Sequence, residues 1–157
     1  MNIFYTNRDP VQCAKDHCDK HCVKMILEYG QLLSTAHRLL GNDNPVLYKA
    51  THKNHPSAVW ARANVKHYDW LYRLLEALSQ EYTSRYGRVH RTWFKLSSAL
   101  REAPSGIPNG DYKDPPQCMP DQYKGEDAVK AYQNYVRLDK EFAEWNHSPM
   151  PEWMIRK

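Results

Sequence analysis

The segment DHCDKHCVKMILE, residues 16–28, decides how this chain is interpreted. Its pattern predicts a helix, yet one face of that helix is crowded with polar and ionisable groups. Six side chains follow one another at spacings of three and four and so share one stripe of a helix: His17, His21, Lys24, Glu28, Gln31 and Thr35. A histidine, a lysine and a carboxylate on one stripe can move protons and hold anions. We therefore place the candidate active site on this stripe.

The segment belongs to a long predicted helix, residues 10–40. Asp9 is the expected N-cap and Pro10 the first helical residue, because a capping carboxylate and a proline are both favoured there. Apolar residues keep helical spacing along this stretch, with Cys18 and Cys22 among them. Gly41 and the following Asn-Asp-Asn-Pro end the helix, and its length allows a bend around residues 16–19.

Three more helices are predicted, at about 57–86, 90–103 and 126–145, with Gly87 capping the first of them. The first ten residues are expected to form a short extended arm. Residues 104–125 contain five prolines and are predicted to be a functional or flexible loop. Since no alternating strand pattern appears, we expect an all-α fold, a single compact domain over residues 1–157 with three to four main helices.

Composition narrows the function classes. No run approaches the roughly 20 apolar residues of a membrane span, the mean hydropathy is −0.82, and the first residues lack a secretory pattern. We therefore expect a cytoplasmic protein (in the host cytoplasm if viral) with no membrane partner, and favour a monomer. The four cysteines do not form a disulfide framework, because three fall on one predicted helix. The net charge of +4 suits an anionic partner.

Two kinds of chemistry compete on the first helix. In the first, Glu28 is an acid–base carboxylate held by His21 or Lys24, although a Lys24–Glu28 pair at this spacing is also an ordinary surface pair. In the second, two i,i+4 pairs bind a metal, His17 with His21 or Cys18 with Cys22, completed by His52, His55 or Cys118. The paired CxxC spacing of strong zinc sites is missing, and cysteines on an apolar stripe usually act as small hydrophobes. We therefore expect neither a metal nor another cofactor.

Several segments together resemble one family. DKHCVKMILE, residues 19–28, is similar to the signature of the pyrimidine-dimer DNA glycosylases, the family of the endonuclease V of T-even phages, in which a histidine precedes the catalytic glutamate by seven positions. HYDWLYRLLEALSQEYTSRYG (67–87), MPDQYKG (119–125), RLDKEFAEW (137–145) and PEW (151–153) resemble later segments of that family in the same order. The chain also resembles uncharacterised phage and giant-virus proteins with similar DKH and NHP segments.

The resemblance implies a compact all-α DNA N-glycosylase that bends DNA and flips a nucleotide, with possible lyase activity. Its nucleophile would be an α-amino group at the N-terminus, which attacks the sugar C1′ and forms a Schiff base with help from the glutamate. Here Met1 would supply the amine, or Lys24 less favourably, while Glu28 assists and His21 orients Glu28 or holds a phosphate. The expected phosphate or nucleic-acid contacts are Lys20, Gln31, Lys49, His52, Lys53, His55, Arg85, Arg137 and Lys140.

Two departures bear on the substrate. Leu27 and Gln31 stand where the family has the arginines that flank its glutamate, and Lys140 is displaced by one residue, with Glu141 in its place. A damaged or modified base in DNA is therefore the leading substrate. The alternatives are an enzyme on free nucleotides or nucleosides, a noncatalytic viral binding or inhibitory protein, and a metal-dependent hydrolase.

Overall fold

The computed structural model describes residues 1–155, and this part of the chain is all-helical, as predicted. It contains two short 3₁₀ turns, at Asp121–Tyr123 and Glu152–Met154. Six α-helices make up the rest of its regular structure: α1 (Pro10–Asp16), α2 (Asp19–Leu39), α3 (Pro56–Ala63), α4 (Val65–Tyr86), α5 (Arg91–Leu100) and α6 (Ala128–Asp139). None of the helices in this range has both the length and the apolar character needed to cross a membrane.

The predicted helix over residues 10–40 is divided into two. Asp9 caps α1 as expected, its carboxylate accepting from Val11 N–H, and Pro10 is its first residue. The break falls within residues 16–19, where the prediction allowed a bend, but it is more than a bend, because His17 and Cys18 are extended, with ψ angles of 128° and 164°. Distant groups hold the break open, since Asp19 N–H donates to the Glu144 carbonyl at 2.9 Å.

The break changes the proposed stripe. His17 ends α1 and does not belong to α2, so the stripe that α2 itself carries begins at His21. Cys18 and Cys22 are fully buried, in agreement with their assignment to the apolar face.

The other predicted helices are also shorter than expected. The helix over 57–86 is interrupted at Asn64, whose extended backbone ends α3 and whose side chain accepts from His67 N–H at the start of α4. Gly87 ends α4 as predicted, with a φ of 72° that favours glycine. α5 stops at Leu100, and the helix predicted over 126–145 is α6 alone, capped by Asp127 and ending at Asp139.

One continuous core joins these helices. α4 runs through its centre and packs against both α1 and α2. The N-terminal arm is extended, as predicted, but it is part of the core, because Ile3, Phe4 and Tyr5 are all buried. This placement brings the start of the chain against α2.

The proline-rich segment 104–125 is fixed along the α3–α4 junction. Val65 N–H donates to the Pro108 carbonyl at 2.9 Å, and the Trp60 indole donates to the Lys113 carbonyl at 2.9 Å. Lys113 N–H in turn donates to His67 Nε2 at 3.0 Å. The segment therefore connects α5 to α6 as an ordered strap.

Candidate active site

The position of the N-terminal arm is set by a buried chain of hydrogen bonds. Phe4 N–H donates to the Tyr29 hydroxyl at 3.2 Å, and that hydroxyl lies 2.7 Å from His17 Nε2. The other ring nitrogen of His17, Nδ1, donates to the Cys13 carbonyl at 2.7 Å. Because Nδ1 carries the proton, Nε2 accepts from Tyr29, so the hydroxyl uses its proton and a lone pair at once. The arm is thereby attached to α2 and to the end of α1.

The attached arm forms one wall of a cleft of about 280 Å³ on the surface of α2. Ligand sites in proteins commonly occupy about 300–1,000 Å³, so the cleft suits one small group, such as a sugar with part of its base. The residues that line it are Met1, Asn2, Phe4, Lys20, His21, Lys24, Met25, Glu28, Lys140 and Phe142. The four predicted catalytic residues (Met1, His21, Lys24 and Glu28) thus meet in one place, together with two of the predicted phosphate contacts.

Glu28 is the carboxylate of the cleft. Its side chain is 20% exposed, whereas that of Lys24 is 66% exposed, and the closest nitrogen–oxygen distance between them is 4.0 Å. A pair at this distance whose lysine is exposed to solvent contributes only a few tenths of a kcal/mol to stability. Lys24 is therefore free to move toward an anion while Glu28 stays in place.

His21 lies between aromatic rings. It stacks on Phe4 with ring centroids 4.0 Å apart and meets the edge of Phe142 at 5.5 Å. Burial, and then the positive charges nearby, lower the pKa of His21 to about 3. At neutral pH His21 is therefore an uncharged ring that fixes the wall of the cleft, and it offers no positive charge to a phosphate.

Two further lysines reach the cleft from different parts of the chain. Lys20 Nζ lies 4.4 Å from the centre of the Phe142 ring. Lys140, just beyond α6, donates to the Tyr135 hydroxyl at 3.0 Å. With Lys24, the cleft holds three lysines around one carboxylate, so its charge is complementary to the phosphates on either side of a nucleotide.

Arg85 was predicted to contact phosphate, and the structure contradicts that prediction. Its side chain is fully buried and donates to the Asp19 carboxylate at 3.2 Å and to Glu81 at 3.1 Å. It also donates to the carbonyl oxygens of Lys15 and His17. Arg85 therefore supports the break between α1 and α2 and is inaccessible to DNA.

The remaining predicted phosphate contacts lie outside the lining of the cleft. Lys49, His52 and Lys53 are exposed in the loop between α2 and α3, and Gln31 is half-buried one turn beyond Glu28. Arg137, on α6, donates to Asn134 Oδ1 at 2.9 Å. These positions stay predictions for a DNA surface around the cleft.

His55 differs from the other members of that group because it touches the N-terminus. Its Nε2 lies 3.4 Å from the Met1 amino nitrogen, and its Nδ1 accepts from Ser57 N–H at 3.0 Å as the N-cap of α3. The structure thus joins the loop after α2 to the chain start.

The two residue pairs that suggested a metal site gain no further ligands. Among residues 1–155, no group of three or more His, Cys, Asp and Glu side chains is arranged to hold a metal ion. His17 uses both ring nitrogens in the hydrogen bonds that attach the arm.

Sequence reasoning missed the aromatic walls of the cleft. Phe4 and Phe142 both border it, but they come from the arm and from the chain after α6. The run Ile3-Phe4-Tyr5 was an available signal that the arm is buried. Phe142 falls within the helix predicted over 126–145, whereas α6 ends earlier, at Asp139.

Two larger grooves lie elsewhere. One, of about 760 Å³, separates α1 and α4 from residues 147–153, and the other, of about 650 Å³, runs along α4 beside Trp70 and Tyr112. Neither contains Glu28, His21 or the N-terminus. The smaller cleft is the candidate active site because it contains these residues.

A family model described as pyrimidine dimer DNA glycosylase matches residues 1–95. The match includes the arm, α1 to α4 and the first half of α5, and so contains His21, Lys24 and Glu28. The similarity noted at residues 119–153 lies beyond the matched range and stays a prediction. Comparison with curated proteins and with solved structures found no match.

Proposed function

The chain belongs to the pyrimidine dimer DNA glycosylase family, and we propose that it removes a damaged pyrimidine from DNA at the Glu28 cleft with the Met1 amine as nucleophile. The observation that carries the proposal is the meeting of the N-terminal residue, a half-buried carboxylate and three lysines in the lining of one small cleft. The family relation supports a DNA substrate. The assignment of individual roles is ours.

In the proposed reaction, the neutral amine attacks C1′ of the damaged nucleotide. The bond from C1′ to the base breaks, and the base leaves with the bonding electrons and takes up a proton. The sugar ring then opens: O4′ gains a proton, the nitrogen loses one, and a C1′=N Schiff base forms. Glu28 stabilises the positive charge that develops at the sugar and transfers the proton to O4′.

The Schiff base allows a second step. Glu28, which is a carboxylate again after the transfer to O4′, takes up a proton from C2′ while the imine accepts the electrons. The bond from C3′ to the 3′-phosphate then breaks and the phosphate leaves, which cuts the strand. Water hydrolyses the imine and restores the amine. The proposed lyase activity therefore needs no group beyond those in the cleft.

The lysines hold the nucleotide for this chemistry. Lys20, Lys24 and Lys140 surround the opening and can contact the phosphates on the two sides of a flipped nucleotide. The aromatic rings of Phe4 and Phe142 offer apolar surface beside the sugar and the base. Binding should therefore weaken steeply with added salt.

Borohydride trapping tests the nucleophile. Borohydride reduces the Schiff base to a stable amine, so DNA with a pyrimidine dimer or an abasic site becomes covalently attached to the protein. Intact mass first establishes that the protein used begins at Met1, and peptide mapping then locates the adduct. We expect it on the N-terminal peptide, and Lys24→Gln should still form it. An adduct on Lys24 would show that Lys24, and not Met1, is the nucleophile. If neither DNA forms an adduct, the Schiff-base mechanism is wrong.

Glu28→Gln tests the carboxylate. General acid–base groups contribute about 10²–10⁴-fold to rate, so we expect single-turnover cleavage of the bond from C1′ to the base to fall by at least about 100-fold with little change in DNA binding. Glu76→Gln, an exposed carboxylate on α4 outside the cleft, is the matched control and should retain activity. Equal activity of Glu28→Gln and wild type would remove Glu28 from the mechanism.

A further inference from the structure

The hydrogen bond that caps α3 determines where the proton of His55 lies. Ser57 N–H donates to His55 Nδ1 at 3.0 Å, so Nδ1 must present a lone pair. A neutral imidazole with an accepting Nδ1 carries its proton on Nε2. Partial burial, the positive N-terminus and His52 all lower the pKa of His55, which favours the neutral ring. His55 Nε2–H is therefore a hydrogen-bond donor.

That donor faces the Met1 amino group at 3.4 Å. An ammonium group has three N–H donors and no lone pair, so a protonated Met1 would place donor against donor. A neutral amine has a lone pair and can accept from Nε2–H. The two groups can therefore form a hydrogen bond only when the amine is neutral, and the neutral amine is also the form that can attack a sugar.

The other charged groups around the amine differ in which protonation state of the amine they favour. Glu28 favours an ammonium ion, whereas three lysines disfavour an additional cation in the cleft: Lys20, Lys24 and Lys140. His21 is uncharged at neutral pH, and His52 lies beyond His55, its Nδ1 2.8 Å from the Thr51 hydroxyl. His55 is the neighbour with a directed hydrogen bond to the amine.

We propose that His55 is a positioning residue that holds the N-terminal amine in its neutral form and orients it toward the cleft. The proposal rests on the proposed role of Met1 as nucleophile. It also assigns a function to the cap of α3, because the same backbone hydrogen bond that begins the helix selects the tautomer of the ring. The loop between α2 and α3 thereby becomes part of the active site.

His55→Asn separates this role from the structural one. Asparagine is a good N-cap, so α3 keeps its first hydrogen bond, but the side chain has no group in the place of Nε2. His90→Asn is the matched control, because His90 caps α5 in the same way, with Thr92 N–H donating to its Nδ1 at 3.1 Å, and lies outside the cleft. Intact mass establishes Met1 as the first residue of all three proteins, and thermal unfolding checks that each is folded.

The first measurement needs no DNA. A trace of acetylating reagent labels neutral amines, and mass spectrometry of the N-terminal peptide gives the labelling rate from pH 6 to pH 10. We expect the midpoint to rise by about 0.5–1 pH unit in His55→Asn, equivalent to about three- to tenfold slower labelling at pH 7, and to stay unchanged in His90→Asn. The same midpoint in His55→Asn and wild type would overturn the proposal.

The second measurement is borohydride trapping over the same pH range. His55→Asn should trap more slowly at pH 7 and recover the wild-type rate near pH 9, where the amine is neutral without help. A rate that stays low at every pH would mean that His55 only shapes the arm, and would also overturn the proposal. If the wild type forms no adduct on Met1, the proposed function fails, while the labelling experiment still decides the effect of His55 on the amine.

Discussion

Arg85 shows how far the position of one residue can change its role. In the sequence it is one of several basic residues that could hold phosphate, and nothing local separates it from them. In the fold its guanidinium is buried and bonded to Asp19, Glu81 and two carbonyl oxygens from the end of α1. The planar guanidinium provides five donors in a fixed geometry, which lysine cannot reproduce.

Arg85→Gln should therefore lower stability and leave DNA binding by the folded protein unchanged. The substitution leaves two largely buried carboxylates, Asp19 and Glu81, and two carbonyls without this donor, and breaking a buried ion pair in this way costs about 3–5 kcal/mol. Urea unfolding measures the loss. Arg88→Gln, an exposed arginine nearby, should change stability by less than about 0.5 kcal/mol. If Arg85→Gln had normal stability but weaker DNA binding, Arg85 would be a phosphate contact after all.

His21 and Glu28 illustrate what local spacing can establish. The interval of seven residues places both on one side of a helix whatever the rest of the fold does, and the structure keeps them in one cleft. Their states depend on distant groups, however. The uncharged state of His21 follows from its burial between Phe4 and Phe142, which are separated from it by 17 and 121 residues.

At the scale of helices, the sequence predicted where helical segments lie better than where they stop. Asp9, Pro10 and Gly87 are local signals, and the structure places helix ends at each of them. The break at residues 17–18 has no such signal, because Glu144 and Arg85 hold it from elsewhere in the chain. Asn64 was a signal that the prediction overlooked, since asparagine followed by a helical stretch is a favoured N-cap.

The crossing of α2 and α5 depends on a small residue at Gly30. A Cβ at this position would lie 2.8 Å from Thr92 Cγ2, which is buried and stiff because threonine is branched at Cβ. The Thr92 hydroxyl is also fixed, 2.8 Å from the Tyr48 hydroxyl. Gly30 therefore sets how closely α5 approaches the helix that carries Glu28.

Gly30→Ala should lower the free energy of unfolding by about 1–2 kcal/mol in urea titrations. Overpacking costs about 1–3 kcal/mol, and the better helix propensity of alanine offsets up to about 1 kcal/mol of it. The double variant Gly30→Ala/Thr92→Ser removes the clashing methyl group and keeps the hydroxyl, so it should recover most of the loss relative to Thr92→Ser alone. If the two substitutions were simply additive, the close contact would not be the cause.

At the scale of the whole molecule, the site is assembled from three separate parts of the chain. The arm gives the amine, α2 gives the carboxylate and two lysines, and the chain after α6 gives Lys140 and Phe142. Only the α2 part could be located from spacing. The family resemblance suggested the amine and Lys140. Phe142 could not be placed, because the predicted final helix continued past the turn that brings it to His21.

This assembly also makes stability depend on pH, through histidines buried where the arm meets α2. Burial lowers the pKa of His17 to about 4 and that of His21 to about 3, whereas both are near 6.5 in an unfolded chain. Below pH 6.5 the unfolded state therefore binds protons that the native state does not, and stability falls as pH falls toward these native values. The raised pKa of buried Asp16 acts in the opposite direction, because burial makes that carboxyl take up a proton at a higher pH in the native state than in the unfolded chain.

Urea unfolding at pH 7.5, 6.5, 5.5 and 5.0 should show this dependence. Each histidine contributes up to about 1.4 kcal/mol per pH unit in the middle of the range, so the two together approach about 2.7 kcal/mol per unit near pH 5. Summed down to pH 4, the two histidines cost about 6 kcal/mol, which is a large part of the about 5–15 kcal/mol by which a typical domain is stable. His21→Phe keeps a ring between Phe4 and Phe142. It should lower the number of protons taken up on unfolding by about one, and so reduce the slope of stability against pH by about 1.4 kcal/mol per unit. Stability that is flat between pH 6.5 and pH 5.0 would mean that the two rings are charged in the native protein, and the neutral aromatic wall assigned to the cleft would be wrong.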